Sequence, residues 1–183
     1  MQTIIIDTET TGLPKLFKLA CNSSNVTNWD SARIVQIAYQ VFNDRNELVA
    51  SINQLIQPDG FTIPEASTKI HRITNEKAAT DGVSIRHALA TLLSYISMHP
   101  TKIVCHNVQF DFNVILAELY RVDMNHEMFQ SCETHCTMLA NTPRGGRWPK
   151  LKDVYQRVAG DFDESKAHDA SYDVMMTARV YFG

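Results

Sequence analysis

The order of apolar patterns along the chain restricts its fold more than any single motif. Thr3-Ile4-Ile5-Ile6-Asp7 is a short apolar run that ends in a carboxylate. Residues 33–42 (RIVQIAYQVF) and 47–57 (ELVASINQLIQ) read as strands, and Asn43-Asp44-Arg45-Asn46 supplies a turn, so the two form a hairpin. The period then changes. Ile85, Ala88, Leu89, Leu92, Leu93 and Ile96 recur at helical spacing behind Ser84 as N-cap, and Pro100 ends that helix. Residues 102–106 (KIVCH) are a short strand, and residues 110–121 carry a second amphipathic helix. After an irregular stretch, residues 151–159 and 169–182 read as two more helices. Strands first, then helices alternating with a strand, indicate an α/β fold with a mixed sheet. Residues 14–31 are the longest irregular insert and are expected to form a surface loop beside the first strand.

Length and composition bound the rest. A chain of 183 residues, 44% hydrophobic, is expected to fold as one domain over residues 1–183. It should bury about 70% of its unfolded surface and so needs no disulfide staples. Collagen-like and disordered classes are excluded by composition. No run approaches the roughly 18 apolar residues of a membrane span, and no basic-then-apolar segment opens the chain, so an intracellular, non-membrane protein is expected. The net charge of -3 gives no global attraction for a polyanion, so any nucleic-acid binding must rest on a concentrated site.

The four cysteines lack the paired spacings of a zinc ribbon. Cys132-Glu133-Thr134-His135-Cys136, with His126 upstream, contains zinc-ligand types but no second arm, so buried or idle thiols are the reading.

Three segments carry candidate chemistry. In Asp7-Thr8-Glu9-Thr10-Thr11-Gly12, strand alternation lets Asp7 and Glu9 face the same way. Two adjacent carboxylates repel unless a proton or cation lies between them, and hard cations such as Mg²⁺ or Mn²⁺ suit such a pair. Gly12 permits a tight turn after them. In His106-Asn107-Val108-Gln109-Phe110-Asp111-Phe112-Asn113, a buried strand leads into a helix whose first turn carries Asp111. Taken alone, that acid is ordinary helix-dipole complementarity. In His168-Asp169-Ala170-Ser171-Tyr172-Asp173, five residues at about 100° each place positions 168 and 173 about 140° apart on a regular helix. His168 is therefore expected in the helix lead-in, reaching over the site, with an imidazole suited to general-base work.

Together, DTETTG, HNVQFDFN and HDASYD occur in the order that characterises the DEDDh 3′-to-5′ exonucleases, and the chain resembles that family from Ile4 to about Tyr181. The family includes the proofreading subunits of bacterial replicative DNA polymerases. The resemblance implies a ribonuclease-H-like fold with a mixed five-stranded sheet flanked by helices. It implies two Mg²⁺ or Mn²⁺ ions, with Asp7, Glu9 and Asp173 as direct ligands and Asp111 holding the second ion through water. His168 would deprotonate the attacking water. Thr10, Thr11 and Leu13 match positions that hold the terminal nucleotide, and Phe110 matches an aromatic that packs on the substrate. His71 matches a histidine near the strand, and Asn107, in the second motif, joins the expected substrate contacts. Arg72 departs from the pattern, because many relatives have glycine there.

The expected activity is removal of nucleoside 5′-monophosphates from 3′ ends, with single-stranded DNA as substrate for proofreading or end trimming. RNA trimming is the alternative, since its enzymes share the same catalytic residues. A non-catalytic module binding nucleic acid or a polymerase is a third reading, disfavoured because all four acids and the histidine are present. A polymerase partner is possible. The sequence stops just after the last helix, with no obvious extension for polymerase attachment, so the chain is expected to work alone, to associate through its surface, or to be excised from a larger protein. Arg144-Gly145-Gly146-Arg147-Trp148-Pro149-Lys150-Leu151-Lys152 is the one local basic cluster; it reads either as a strand-tracking stretch with a stacking Trp148 or as a solvated Gly-Gly loop.

Overall fold

The computed structural model describes residues 1–16 and 19–183. Its centre is β1 (Gln2–Thr10), which pairs antiparallel with β2 (Ile34–Phe42) and parallel with β4 (Thr101–Cys105). β3 (Leu48–Leu55) and β5 (Glu133–Cys136) close the edges, giving the order β3-β2-β1-β4-β5. This is the mixed five-stranded, ribonuclease-H-like sheet expected from the sequence.

Three consecutive isoleucines form a strand because both faces of the sheet are covered. Ile4 and Ile6 pack into the larger core, against α3 (Ile85–Met98) and α4 (Val108–Arg121). Ile5 points the other way, onto Ala170, Val174 and Ala178 of α8 (Ala170–Phe182). Period-2 alternation then continues past the core. Asp7 and Glu9 share the face of Ile5, the face covered by α8. Thr8 shares the face of Ile4, the face covered by α4.

The β1–β2 register shifts between Glu9 and Thr10, so Gln36 faces Glu9 while Ile34 faces Thr10. Such a bulge bends the strand end and re-aims its side chains. Gly12 completes the turn, where a Cβ would lie 3.1 Å from the Ser31 carbonyl oxygen.

Several local readings need correction. The insert at 14–31 is not merely a surface loop. Its one-turn 3-10 segment Val26–Trp29 ends in a fully buried Trp29, and the Cys21 N–H donates to Asn113 Oδ1 of α4 at 2.7 Å. Residues 17 and 18 of that insert lie outside the described residues. Between β3 and α3 stand two short helices the periodicity did not reveal, α1 (Glu65–His71) and α2 (Asn75–Asp81). The stretch read as irregular after α4 contains α5 (His126–Gln130), β5 and α6 (Thr137–Ala140). β5 escapes a pattern search because Glu-Thr-His-Cys has no apolar alternation, and its parallel pairing with β4 decides its conformation. α7 (Leu151–Ala159) packs beside α8, and Ser84 caps α3 by accepting from the His87 N–H, both as the sequence indicated.

One buried charge cluster ties α4 to the entrance of β2. Glu118, 1% exposed, takes Arg33 Nε at 2.8 Å and Nη2 at 3.2 Å, and lies 3.2 Å from Arg121 Nη1. Arg33 also lies over the Phe61 ring, 4.4 Å from its centroid. Removing the acid leaves the mostly buried Arg33 without its carboxylate and Arg121 with the exposed Asp30 alone, 3.1 Å from its Nη2. Glu118→Ala should therefore lower stability by about 3–5 kcal/mol in urea unfolding, and a loss under about 1 kcal/mol would contradict this account.

Candidate active site

The carboxylates converge because β1 ends where α4 and α8 begin. Asp7 and Glu9, both half-buried, leave β1 on the face where α8 presents Asp173 in its first turn. Asp111, in the first turn of α4, is 3% exposed. The Thr8 N–H and hydroxyl both donate to Asp111 Oδ1, at 3.0 and 2.8 Å, which fixes that acid to the opposite face of β1. His168 precedes α8 by two residues, in a left-handed conformation with φ 60°. It approaches from the lead-in, as the spacing requires. Ligand atoms of Glu9, His168 and Asp173 lie within 4.8 Å of one another.

These acids raise each other's proton affinity. Burial pushes the Glu9 carboxyl up to about 8, with Asp173 and Asp111 adding repulsion. Burial raises Asp173 to about 7, helped by Asp169. Asp111 also rises to about 7, again through burial, although the two bonds from Thr8 pull it down. Asp7 is driven well above the ordinary carboxylate range by burial, then by Asp111, Asp173 and Glu9. Among the described residues no Lys or Arg forms an ion pair with any of the four. An all-oxygen set of acids with one imidazole and no internal counter-cation fits hard divalent ions.

The turn after β1 is fastened internally. Thr10 Oγ1 donates to the Gly12 carbonyl at 2.8 Å; Thr11 Oγ1 donates to the Ser31 carbonyl at 3.0 Å and accepts from the Arg33 N–H at 2.9 Å. Both threonines are buried, whereas Leu13 stands 73% exposed at the rim. Ser67 Oγ of α1 donates to the Thr11 carbonyl at 2.7 Å, which ties the helix carrying His71 to this turn. His71 is buried; its Nδ1 accepts from the Ile73 N–H, and its Nε2 has no partner among the described residues. Phe110 is half-buried against the larger core, and Asn107 heads α4 with φ 82°. Arg72 caps α1 with φ 64°, and its Nη1 donates to the Ser165 carbonyl at 2.6 Å, in the loop that carries His168.

Two contributors were missed in the sequence. Thr8 holds Asp111, and the signal was its alternation between Asp7 and Glu9. Asp169 caps α8 by accepting from the Ser171 N–H at 2.9 Å, and its charge adds to the repulsion at the site. The cysteine segment assembles no ligand set among the described residues. Cys132 Sγ donates to the Met128 carbonyl, Cys136 Sγ accepts from the Leu139 N–H, and His126 Nδ1 lies 3.1 Å from Gln130 Oε1.

Comparisons with known proteins bear on the fold and the family. The epsilon subunit of DNA polymerase III from Haemophilus influenzae is 25% identical over 179 residues, covering 97% of this chain and 65% of that protein. The same subunit from Buchnera aphidicola is 26% identical over 181 residues, covering 98% and 71%. Among solved structures, E. coli exonuclease I in complex with a dT13 oligonucleotide shares the fold, with a TM-score of 0.75 at 18% identity over 98% of this chain and 40% of that one. The zinc-bound form of its complex with single-stranded DNA gives 0.74 at 21% identity, covering 98% and 39%. This chain thus spans about two thirds of the length of those epsilon subunits and about two fifths of exonuclease I. The exonuclease family model of the RNase T type matches residues 4–181, and the chain belongs to that family.

Proposed function

We propose that the chain is a divalent-metal-dependent 3′-to-5′ exonuclease that releases nucleoside 5′-monophosphates from single-stranded DNA. The observation that carries this reading is the meeting of Glu9, His168 and Asp173 within 4.8 Å, beside Asp7 and Asp111, with no Lys or Arg ion-paired to these acids among the described residues. The exonuclease I structures bound to oligonucleotides and the epsilon-subunit relatives support DNA as substrate. Association with a polymerase is part of the same proposal and rests on those relatives.

Asp7, Glu9 and Asp173 would hold the ions, with Asp111 behind them. When bound, a pair of divalent ions supplies charge neutralisation on the phosphodiester and a lower pKa for the attacking water. The chain's own residues do the rest. Thr8 keeps Asp111 in one orientation through its two donated bonds. His168 accepts the proton of the attacking water and, being exposed, passes it to solvent. Leu13 offers an apolar edge to the terminal base. The unpartnered Nε2 of His71 gains a partner when the strand is seated.

The direct test follows 3′-labelled and 5′-labelled DNA and RNA oligonucleotides with Mg²⁺ over time. Stepwise loss from the 3′ end of DNA is expected; endonucleolytic products would refute the reading, and faster cutting of RNA would reassign the substrate. Asp7→Ala should abolish metal-dependent cleavage. His168→Ala should lower turnover about 10²–10⁴-fold while leaving the metal concentration needed for half-maximal rate unchanged. Parallel losses in both would contradict its role as base.

The electrostatics also predict stability in chelator. Each site acid binds its proton more tightly folded than unfolded, so between about pH 4 and 8 the native state holds more protons. Stability of the metal-free protein should therefore fall as pH rises through this window. Asp7→Asn should flatten the slope and raise the Tm at pH 8, and Mg²⁺ should do the same for the wild type. Superimposable Tm profiles for wild type and variant from pH 5.5 to 8.5 would rule the account out.

A further inference from the structure

The basic segment after α6 is not used by the site described above. From residue 134 to residue 152 the sequence contains no acid, yet Arg144, Arg147, Lys150 and Lys152 fall within nine residues. Lys152 pairs with Glu164 at 3.4 Å, whereas Arg144, Arg147 and Lys150 form no ion pair among the described residues. Between the two arginines and Lys150 stands Trp148, 64% exposed. The chain's other tryptophan, Trp29, is fully buried.

The segment is shaped and anchored. A tight turn is closed by the Gly146 N–H donating to the Pro143 carbonyl at 2.8 Å, with Gly145 at φ 72°. His106, where β4 hands over to α4, holds both sides of the loop. Its Nε2 lies 3.0 Å from the Pro149 carbonyl and its Nδ1 3.0 Å from Thr137 Oγ1. A carbonyl can only accept, so Nε2 carries the proton, and burial keeps the ring neutral. The tether places the loop at the end of the sheet where β1 delivers its acids, because β1 and β4 run parallel. Beyond the loop, Lys150 and Lys152 line a cavity of about 300 Å³ together with Phe162, His168 and Asp173. The run of positive charge thus leads into the candidate active site.

We propose that the 144–152 segment is a binding subsite for a single nucleic-acid strand on the 5′ side of the scissile bond. Arg144, Arg147 and Lys150 take the phosphodiester backbone, and Trp148 stacks on an unpaired base. This rests on the exonuclease reading and assigns where the remainder of the strand lies. An exposed indole flanked by unpaired cations suits unstacked bases and a flexible backbone rather than a duplex. Charge favours such a subsite: the chain is net negative, and the phosphates beyond the one that bound ions would neutralise gain from a local cationic surface.

The test measures binding and turnover separately. In the Asp7→Ala background with Mg²⁺, titration with dT12 should quench the fluorescence of Trp148, whereas the dinucleotide pTpT, too short to reach the loop, should not. Trp148→Ala should weaken dT12 binding by about 5- to 150-fold. Arg144→Ala with Arg147→Ala should lower the slope of log affinity against log salt by about 1.4, at roughly 0.7 per phosphate contact. With His168 and the acids intact, the same pair should raise KM for dT12 and leave turnover of pTpT unchanged. Unquenched Trp148 at saturating dT12, or an unaltered salt slope, would overturn the subsite, as would absence of dT12 binding. Quenching without hydrolysis by the wild-type chain would keep the subsite and refute the exonuclease reading; normal hydrolysis with an inert loop would do the reverse.

Discussion

Carboxylates that repel one another are held together here by the parity of a buried strand. Ile5, Asp7 and Glu9 lie on one side of β1, and the packing of Ile5 against α8 fixes which side that is. Because α8 buries Ala170, Val174 and Ala178 on that face, its Asp173 has no freedom to withdraw from Glu9. A one-residue slip of β1 would turn both acids to the α4 side and Thr8 to the α8 side. The unfavourable electrostatics of the site are thus sustained by hydrophobic contacts a few residues away. The same contacts make the site a ready receptor for positive charge.

The charge distribution divides the work. The cluster of acids at the end of β1 suits cations and repels anions, while the loop tethered by His106 carries cations without acids. Positive and negative charge are therefore placed on neighbouring but separate elements. His168 belongs to neither. It sits on a connector bound to α8 through the Asp163 N–H and Tyr172 OH, and to α7 through Glu164 and Lys152. That arrangement lets the imidazole reach the acids without being a fixed part of the helix.

Much of this was legible in the sequence, and what was not had a physical cause. The hairpin, α3 with its Ser84 cap and the helices α7 and α8 follow from local periodicity. The three motifs contain the four acids and the histidine of the candidate site, and the spacing of residues 168 and 173 anticipates the lead-in position. β5 was invisible because its residues are polar and its conformation comes from β4. α1 and α2 are seven residues each, too short for periodicity to stand out. The docking of Trp29 and Cys21 could not be read from a stretch without regular pattern, since it depends on a groove supplied by α4. Thr8 and Asp169 were overlooked because their roles are visible only once a partner from a distant segment is in place.

Arg72 shows how a single residue can join these layers. A non-glycine side chain in the left-handed region costs about 1–2 kcal/mol. Its guanidinium nonetheless crosses from the corner of α1 to the Ser165 carbonyl, three residues before His168. A glycine there would relax the backbone and at the same moment cut the strut between α1 and the loop that carries His168. Backbone ease and the fixing of the His168 loop are consequently set against each other at this position, and selection for one would be expected to erode the other.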